Sequence, residues 1–268
     1  MELVVFDDIM DMQSIIRPAQ ISGFSKRVCY NHFCHWSLLF VLLACGSRLM
    51  LAQTDFTGGA GGSIPDATTY GDTAWNPNAG VFTSDIDVTD PGTISSFNSI
   101  TLNDFPHTWV GDLVFELTHV DSGTTVIFLD RPLKVSPTSD YGSDSDLNGT
   151  CTFVSDLTSS YGSGDSIWLA ANNNSVVPGG TYAASANIFT GSTNTSYQPV
   201  NLNVFSGESI SGTWELTVLD ESYLDVGSFS SWQFNATIEA TPEPASPMLI
   251  LCGAIISFIL VSFWRKPA

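Results

Sequence analysis

Hydrolysis through a covalent intermediate needs a hydroxyl or thiol, a base to take its proton, and a third group to orient that base. This 268-residue chain offers little material for such a set. Beyond the first 52 residues the only histidines are His107 and His119, and no serine stands in a G-x-S-x-G or G-T-S-x-A setting. Catalysis is therefore not expected of it. Cation binding has more to work with. Asp144-Ser145-Asp146-Leu147-Asn148-Gly149 matches the first half of a D-x-[DN]-x-[DN]-G loop. In such a loop, oxygens at alternate positions of a tight turn converge on one hard cation. Asp144, Asp146 and Asn148 are accordingly candidate calcium ligands. The closing glutamate would fall at Ser155, with Asp156 one residue late, so a solvated acidic loop is the alternative reading. Trp75 and Trp168 could offer stacking surfaces to a glycan, and the alternative for both is packing.

The charge balance narrows the partners. Between Gln53 and Pro242, 22 Asp and Glu face two basic residues, Arg131 and Lys134, a balance of −20. Such a surface repels polyanions, which argues against nucleic acid as a partner. It suits an extracellular domain or one that binds cations. Cys151 is the lone cysteine of this region, so no disulfide can form within it.

The elements that must carry these residues read as strands. Trp214, Leu216 and Val218 alternate with Thr213, Glu215 and Thr217; Trp232, Phe234, Ala236 and Ile238 repeat the period of two. With an Asp- and Ser-rich turn between them, they predict a β-hairpin whose two tryptophans share one core. Leu113, Phe115, Leu117 and His119 alternate likewise, and turn clusters recur about every ten residues. The pattern predicts an all-β fold, a jelly-roll sandwich of about eight strands, over residues 63–240. Residues 53–62 read as a linker, and 132–196, dominated by small polar residues, as long surface loops.

Three motifs carry a family resemblance. The first is His107-Thr108-Trp109-Val110-Gly111-Asp112-Leu113, followed by Leu129-Asp130-Arg131-Pro132. The second is Tyr197-Gln198-Pro199 through Leu202, Phe205 and Gly207. The third is Gly212-Thr213-Trp214-Glu215-Leu216-Thr217-Val218-Leu219-Asp220, continuing through Asp225 and Gly227 to Trp232. In that order they resemble the P domain (P/Homo B) that follows the catalytic domain of kexin- and furin-like proprotein convertases. The resemblance implies structural roles for the motif residues, His107 among them as a packed or hydrogen-bonded histidine. It also implies association with serine-type endopeptidases, which the P domain stabilises, without the catalytic domain itself. A separate protease or an extracellular polysaccharide is then the expected partner.

The two ends read as addresses. Residues 1–52 resemble an export signal, with Lys26 and Arg27 before a short apolar core and a small-residue cleavage site at Ala52; Leu42-Leu43-Ala44-Cys45 also resembles a lipoprotein box. Residues 241–268 place Pro242-Glu243-Pro244 before an apolar run, 248–264, closed by Arg265 and Lys266. At ~1.5 Å per residue the run spans about 25 Å, enough for a helix across a thin bilayer. This order resembles the PEP-CTERM sorting signal of bacteria, which an exosortase-like enzyme recognises. It implies an exported protein held at the envelope by a transmembrane helix, or released to the matrix.

Overall fold

The computed structural model describes residues 51–71, 75–134, 136, 141–155, 166–173, 175–187 and 197–240, with Gly253 and Ile255 of the tail. The chain divides into Met1–Arg48 and Leu49–Ala268. Nearly all of the export signal, its lipoprotein box, and the sorting motif Pro242, Glu243, Pro244, Arg265 and Lys266 lie outside the described residues. So does the apolar run, except for the helical Gly253 and Ile255. Among the described residues no helix is long and apolar enough to cross a membrane.

Among the described residues, eleven strands form two sheets around one core. The first sheet holds β1 (Leu51–Ile64), β11 (Gly227–Glu239), β3 (Thr93–Asn103), β6 (Asp146–Val154) and β7 (Val176–Ala183), in that order. The second holds β2 (Gly80–Val88), β10 (Gly212–Asp220), β4 (Leu113–His119), β5 (Thr124–Asp130), β8 (Ser185–Asn187) and β9 (Tyr197–Pro199). A seven-residue helix, α1 (Ile167–Asn173), precedes β7. Pairing is antiparallel except between β5 and β8 and between β6 and β7.

The all-β class and two-layer build agree with the alternating pattern; the strand count and some pairings do not. β10 and β11 are not a hairpin. β10 pairs with β2 and β4, and β11 with β1 and β3, so residues 221–226 carry the chain from one sheet to the other. A period of two tells which side of a strand is apolar, not which strand lies beside it. Trp214 and Trp232 do share the core, facing each other across it on either side of Phe234, with ring centroids 4.9 and 6.3 Å away.

The stretch read as a linker is most of β1, an edge strand in register with β11 from Leu51↔Glu239 to Ile64↔Gly227. Its glycines hid it. A Cβ at Gly59 would lie 2.1 Å from the indole nitrogen of Trp232, so the strand lies tight against that ring only without a side chain. The small-residue stretch 132–196 similarly contains β6, β7, β8 and α1. Leu147, Cys151 and Phe153 point inward there, and the polar residues between them make the outer face.

The calcium cradle is not formed. Asp146 and Asn148 lie in β6, paired alongside Val176 and Pro178, with the chain extended rather than turned. Gly149 (φ +113°) opens a bulge in that strand instead of closing a loop. At ~3.3 Å per residue, side chains two apart on an extended strand stand side by side on one face roughly 7 Å apart, whereas a tight turn would bring them together. The exposed Asp144, Asp146 and Asn148 therefore do not fit a calcium ion, and no cluster of three acidic, histidine or cysteine side chains among the described residues could hold a metal.

Candidate functional site

The family-like motifs lie far apart in sequence and meet at one end of the sandwich. A 3₁₀ turn, Val110–Asp112, delivers Asp112 to the start of β4, and the loop after β5 delivers Arg131 and Lys134. β10 ends in Asp220 and runs on into Glu221. All five residues are at least 99 % buried, and Arg131, Lys134 and Asp220 wholly so. The domain's two basic residues are thus both spent in its interior.

Arg131 organises the cluster. It sits in a left-handed conformation (φ +40°), and its amide donates to the Leu113 carbonyl at 2.9 Å. Its Nε donates to the Gly111 carbonyl (3.2 Å) and its Nη2 to the Gly71 carbonyl (2.9 Å), with Asp112 Oδ1 3.5 Å away. Lys134 Nζ donates to the same Gly71 oxygen at 3.1 Å. Asn76 grips Glu221 from the far side: its amide donates to the carboxylate and its Nδ2 to the Glu221 carbonyl.

His107 closes the cluster toward β11. Its Nδ1 accepts from the Trp109 amide at 3.1 Å, which assigns the ring proton to Nε2, 3.3 Å from Asp220 Oδ2. A Cβ on Gly227 would lie 2.2 Å from this ring, so the D-x-G spacing leaves room for the histidine. Both ring nitrogens are engaged. The same holds for His119, whose Nδ1 meets Glu208 at 2.8 Å and whose Nε2 meets the Ser211 carbonyl at 3.4 Å. Its ring stacks on Trp214 at 4.3 Å. Neither histidine is placed to draw a proton from a serine or cysteine.

Four buried carboxyl groups surround two cations. Guanidinium holds its charge even when buried, so the adjustment falls on the acids. Asp112 is pushed up to about 8, chiefly by burial, against the pull of Arg131 and with Asp220 and Asp225 adding to the rise. Asp130 is pushed up to about 6, again chiefly by burial. Asp220 and Glu221 are raised too, but each accepts hydrogen bonds that favour its charged form. The difference has a visible cause. Asp112 and Asp130 each keep a buried oxygen that accepts no hydrogen bond.

Stability should follow pH accordingly. A carboxyl whose folded pKa lies above its unfolded one holds its proton more tightly when folded, so its contribution is complete below about 4 and is lost as pH rises through the folded value. For Asp130 that window runs from 3.8 to about 6, and for Asp112 from 3.8 to about 8. Glu208 acts oppositely, because hydrogen bonds from Thr124, His119 and Ser122 outweigh its burial and hold it low; its contribution is lost in acid. The urea midpoint of the full-length chain is therefore expected to fall between about pH 5 and about pH 9. Asp112→Asn should flatten the upper part of that fall. A midpoint constant or rising over this range would show that Asp112 is ionised at neutral pH.

Above the cluster lies an open cleft of about 260 Å³. Its walls include Tyr70, Tyr141 and Tyr223, whose rings meet edge to face with Tyr70 at the centre (6.4 and 5.9 Å). Trp109 adds a partly exposed indole whose Nε1 donates to the Tyr141 carbonyl. Asp112 lines the cleft from within and Asp225 from the rim. Asp225 is set by the Thr108 hydroxyl at 2.8 Å. The tryptophans expected to be available change places here: Trp168 is 1 % exposed and offers nothing to a ligand, whereas Trp109 of the H-T-W motif faces the cleft. Trp75 is half exposed.

Residues 176–236 match the family model of the proprotein convertase P-domain. This segment carries the P-domain signature. It spans β7 to most of β11 and includes Gly212, Trp214, Asp220, Asp225, Gly227 and Trp232; His107–Asp112 and Arg131 lie outside it and join it in space through the buried cluster. Among solved structures, the serine protease of Aeromonas sobria in complex with the chaperone ORF2 is similar at 15 % identity and a TM-score of 0.36, covering 75 % of this chain and 29 % of that one. A second structure of the Aeromonas sobria serine protease gives 16 %, 0.35, 74 % and 29 %. The chain thus spans less than a third of the length of those proteases. No curated protein matches it significantly in sequence.

Lys134, Glu221, Asn76 and the three tyrosines belong to this end of the molecule although no motif pointed to them, and Asp130 enters it from the Leu129–Pro132 motif. One signal was present for Lys134. In a region with only two cations, a cation four residues from an acid and three from the other cation is more plausibly engaged than solvated.

Proposed function

We propose that this chain is an exported, non-catalytic P-domain protein, held at a bacterial envelope or matrix by its tail and acting as an accessory module for a subtilisin-like serine endopeptidase. The P-domain match over residues 176–236 carries the reading. The chemistry agrees with it: both histidines of the sandwich are engaged on both ring nitrogens, so neither is free to serve a nucleophile as base. Export and retention rest on the order of Pro242-Glu243-Pro244, apolar run, Arg265 and Lys266 alone, and an exosortase-like enzyme is the partner that order suggests.

The test is direct. Purified full-length chain is expected to leave peptide substrates intact, dibasic ones included. Turnover that survives repurification and disappears with a single Ser→Ala substitution would overturn the reading.

A further inference from the structure

We propose that the aromatic cleft receives the guanidinium or ammonium group of an arginine or lysine side chain presented by a partner protein. This rests on the cleft's own geometry and stands apart from the P-domain reading. Three tyrosine rings, Tyr70 meeting Tyr141 and Tyr223 edge to face, and the Trp109 indole line one small space, and clustered rings of this kind can attract a cation through their quadrupoles. The sign of the site agrees. Asp225 stands at its rim, and Asp112 contributes to its wall. The two cations nearby, Arg131 and Lys134, are wholly buried behind Asp112 and bonded to backbone carbonyls. The field at the mouth is therefore set by the Asp225 carboxylate, on a domain whose balance is −20.

Size and surroundings select the source of the cation. At about 260 Å³ the cleft is smaller than the usual small-molecule pocket and suits one side chain. Its rim continues into exposed Leu224 and Val226, 63 % and 62 % accessible, which a free ammonium ion would not cover but the residues flanking a lysine or arginine would. Exposed apolar side chains beside a cleft are a common mark of a protein-binding surface. The backbone of this rim is held in place: the Leu224 amide, at φ +95°, donates to both Asp66 carboxylate oxygens, and Thr108 bridges Asp225 and the Val226 amide. The groups are thus fixed before a partner arrives, which lowers the ordering cost of binding.

Titration calorimetry of the full-length chain with a blocked Leu-Arg-Leu peptide tests this. The arginine peptide should bind about tenfold more tightly than its citrulline isostere, which keeps the shape, exchanges one NH2 donor for a carbonyl and removes the charge, and binding should weaken with salt. Tyr223→Ala and Asp225→Asn should each weaken it several-fold. Tyr223 is 43 % exposed, so its removal should leave the melting temperature almost unchanged and the loss can be assigned to the cleft. Equal affinity for the arginine and citrulline peptides would overturn the proposal, as would full affinity in Tyr223→Ala. Binding of tetramethylammonium as tight as that of the peptide would overturn the protein partner. Binding of a neutral oligosaccharide in place of the peptide would make the cleft a glycan site.

Discussion

Trp214→Ala is expected to lower the unfolding free energy of the full-length chain by about 3–5 kcal/mol. The side chain is completely buried where the two sheets meet. Its ring lies 5.6 Å from Phe97, 5.0 Å from Phe205 and 4.9 Å from Phe234, with His119 stacked on it at 4.3 Å. Truncation would leave a cavity that rings from four separate elements cannot collapse into without giving up their own contacts. It would also strip the Ile210 carbonyl of the indole N–H that donates to it at 3.0 Å. Urea unfolding followed by far-ultraviolet circular dichroism measures the effect. A loss below about 1 kcal/mol would mean that the core is organised around other residues.

Arg131→Met should be of similar size, about 3–5 kcal/mol, for a different reason. Methionine keeps an apolar stem in the same space, so what is lost is mostly charge and donors. Without the guanidinium, the Gly111 and Gly71 carbonyls lose a donor, and Asp112 and Glu221 each face the charge of Asp220 with Lys134 as the remaining cation. The loss should be greater at about pH 9, where Asp112 is ionised, than at about pH 5, where it is protonated. Combining Arg131→Met with Asp112→Asn should therefore cost less than the sum of the two. A neutral or stabilising Arg131→Met would show that burying the cluster outweighs its pairing, and that its role lies elsewhere than in stability.

Much of the fold was legible because alternation records burial faithfully. Leu216 and Val218 on β10, and Phe234 and Ala236 on β11, point inward as their spacing requires. Pairing was not legible, since a strand's faces are the same whether its successor folds back beside it or crosses to the opposite sheet. β1 was missed because its glycines are there for Trp232 and leave no apolar period to read. The site was half legible. The motif residues His107, Asp112, Arg131 and Asp220 do meet, but Glu221, Asn76 and the tyrosines come from segments with no pattern of their own. The D-x-[DN]-x-[DN]-G spacing misled because a strand with polar outer positions produces the same alternation as a chelating loop.

The pairing of β1 with β11 also sets when the domain can be finished. Gln53 bonds to Asn235 across 182 residues, and the strand that joins β1 to β3 is the last one made. Until β11 emerges, β3 has a bare edge, Phe97 and Trp214 lack Phe234, and the opening strand has nowhere to dock. Such late, long-range closure makes folding slow and leaves nascent chains exposed to pairing with one another. A chain of this design cannot close its first sheet until the last of its described strands has been made.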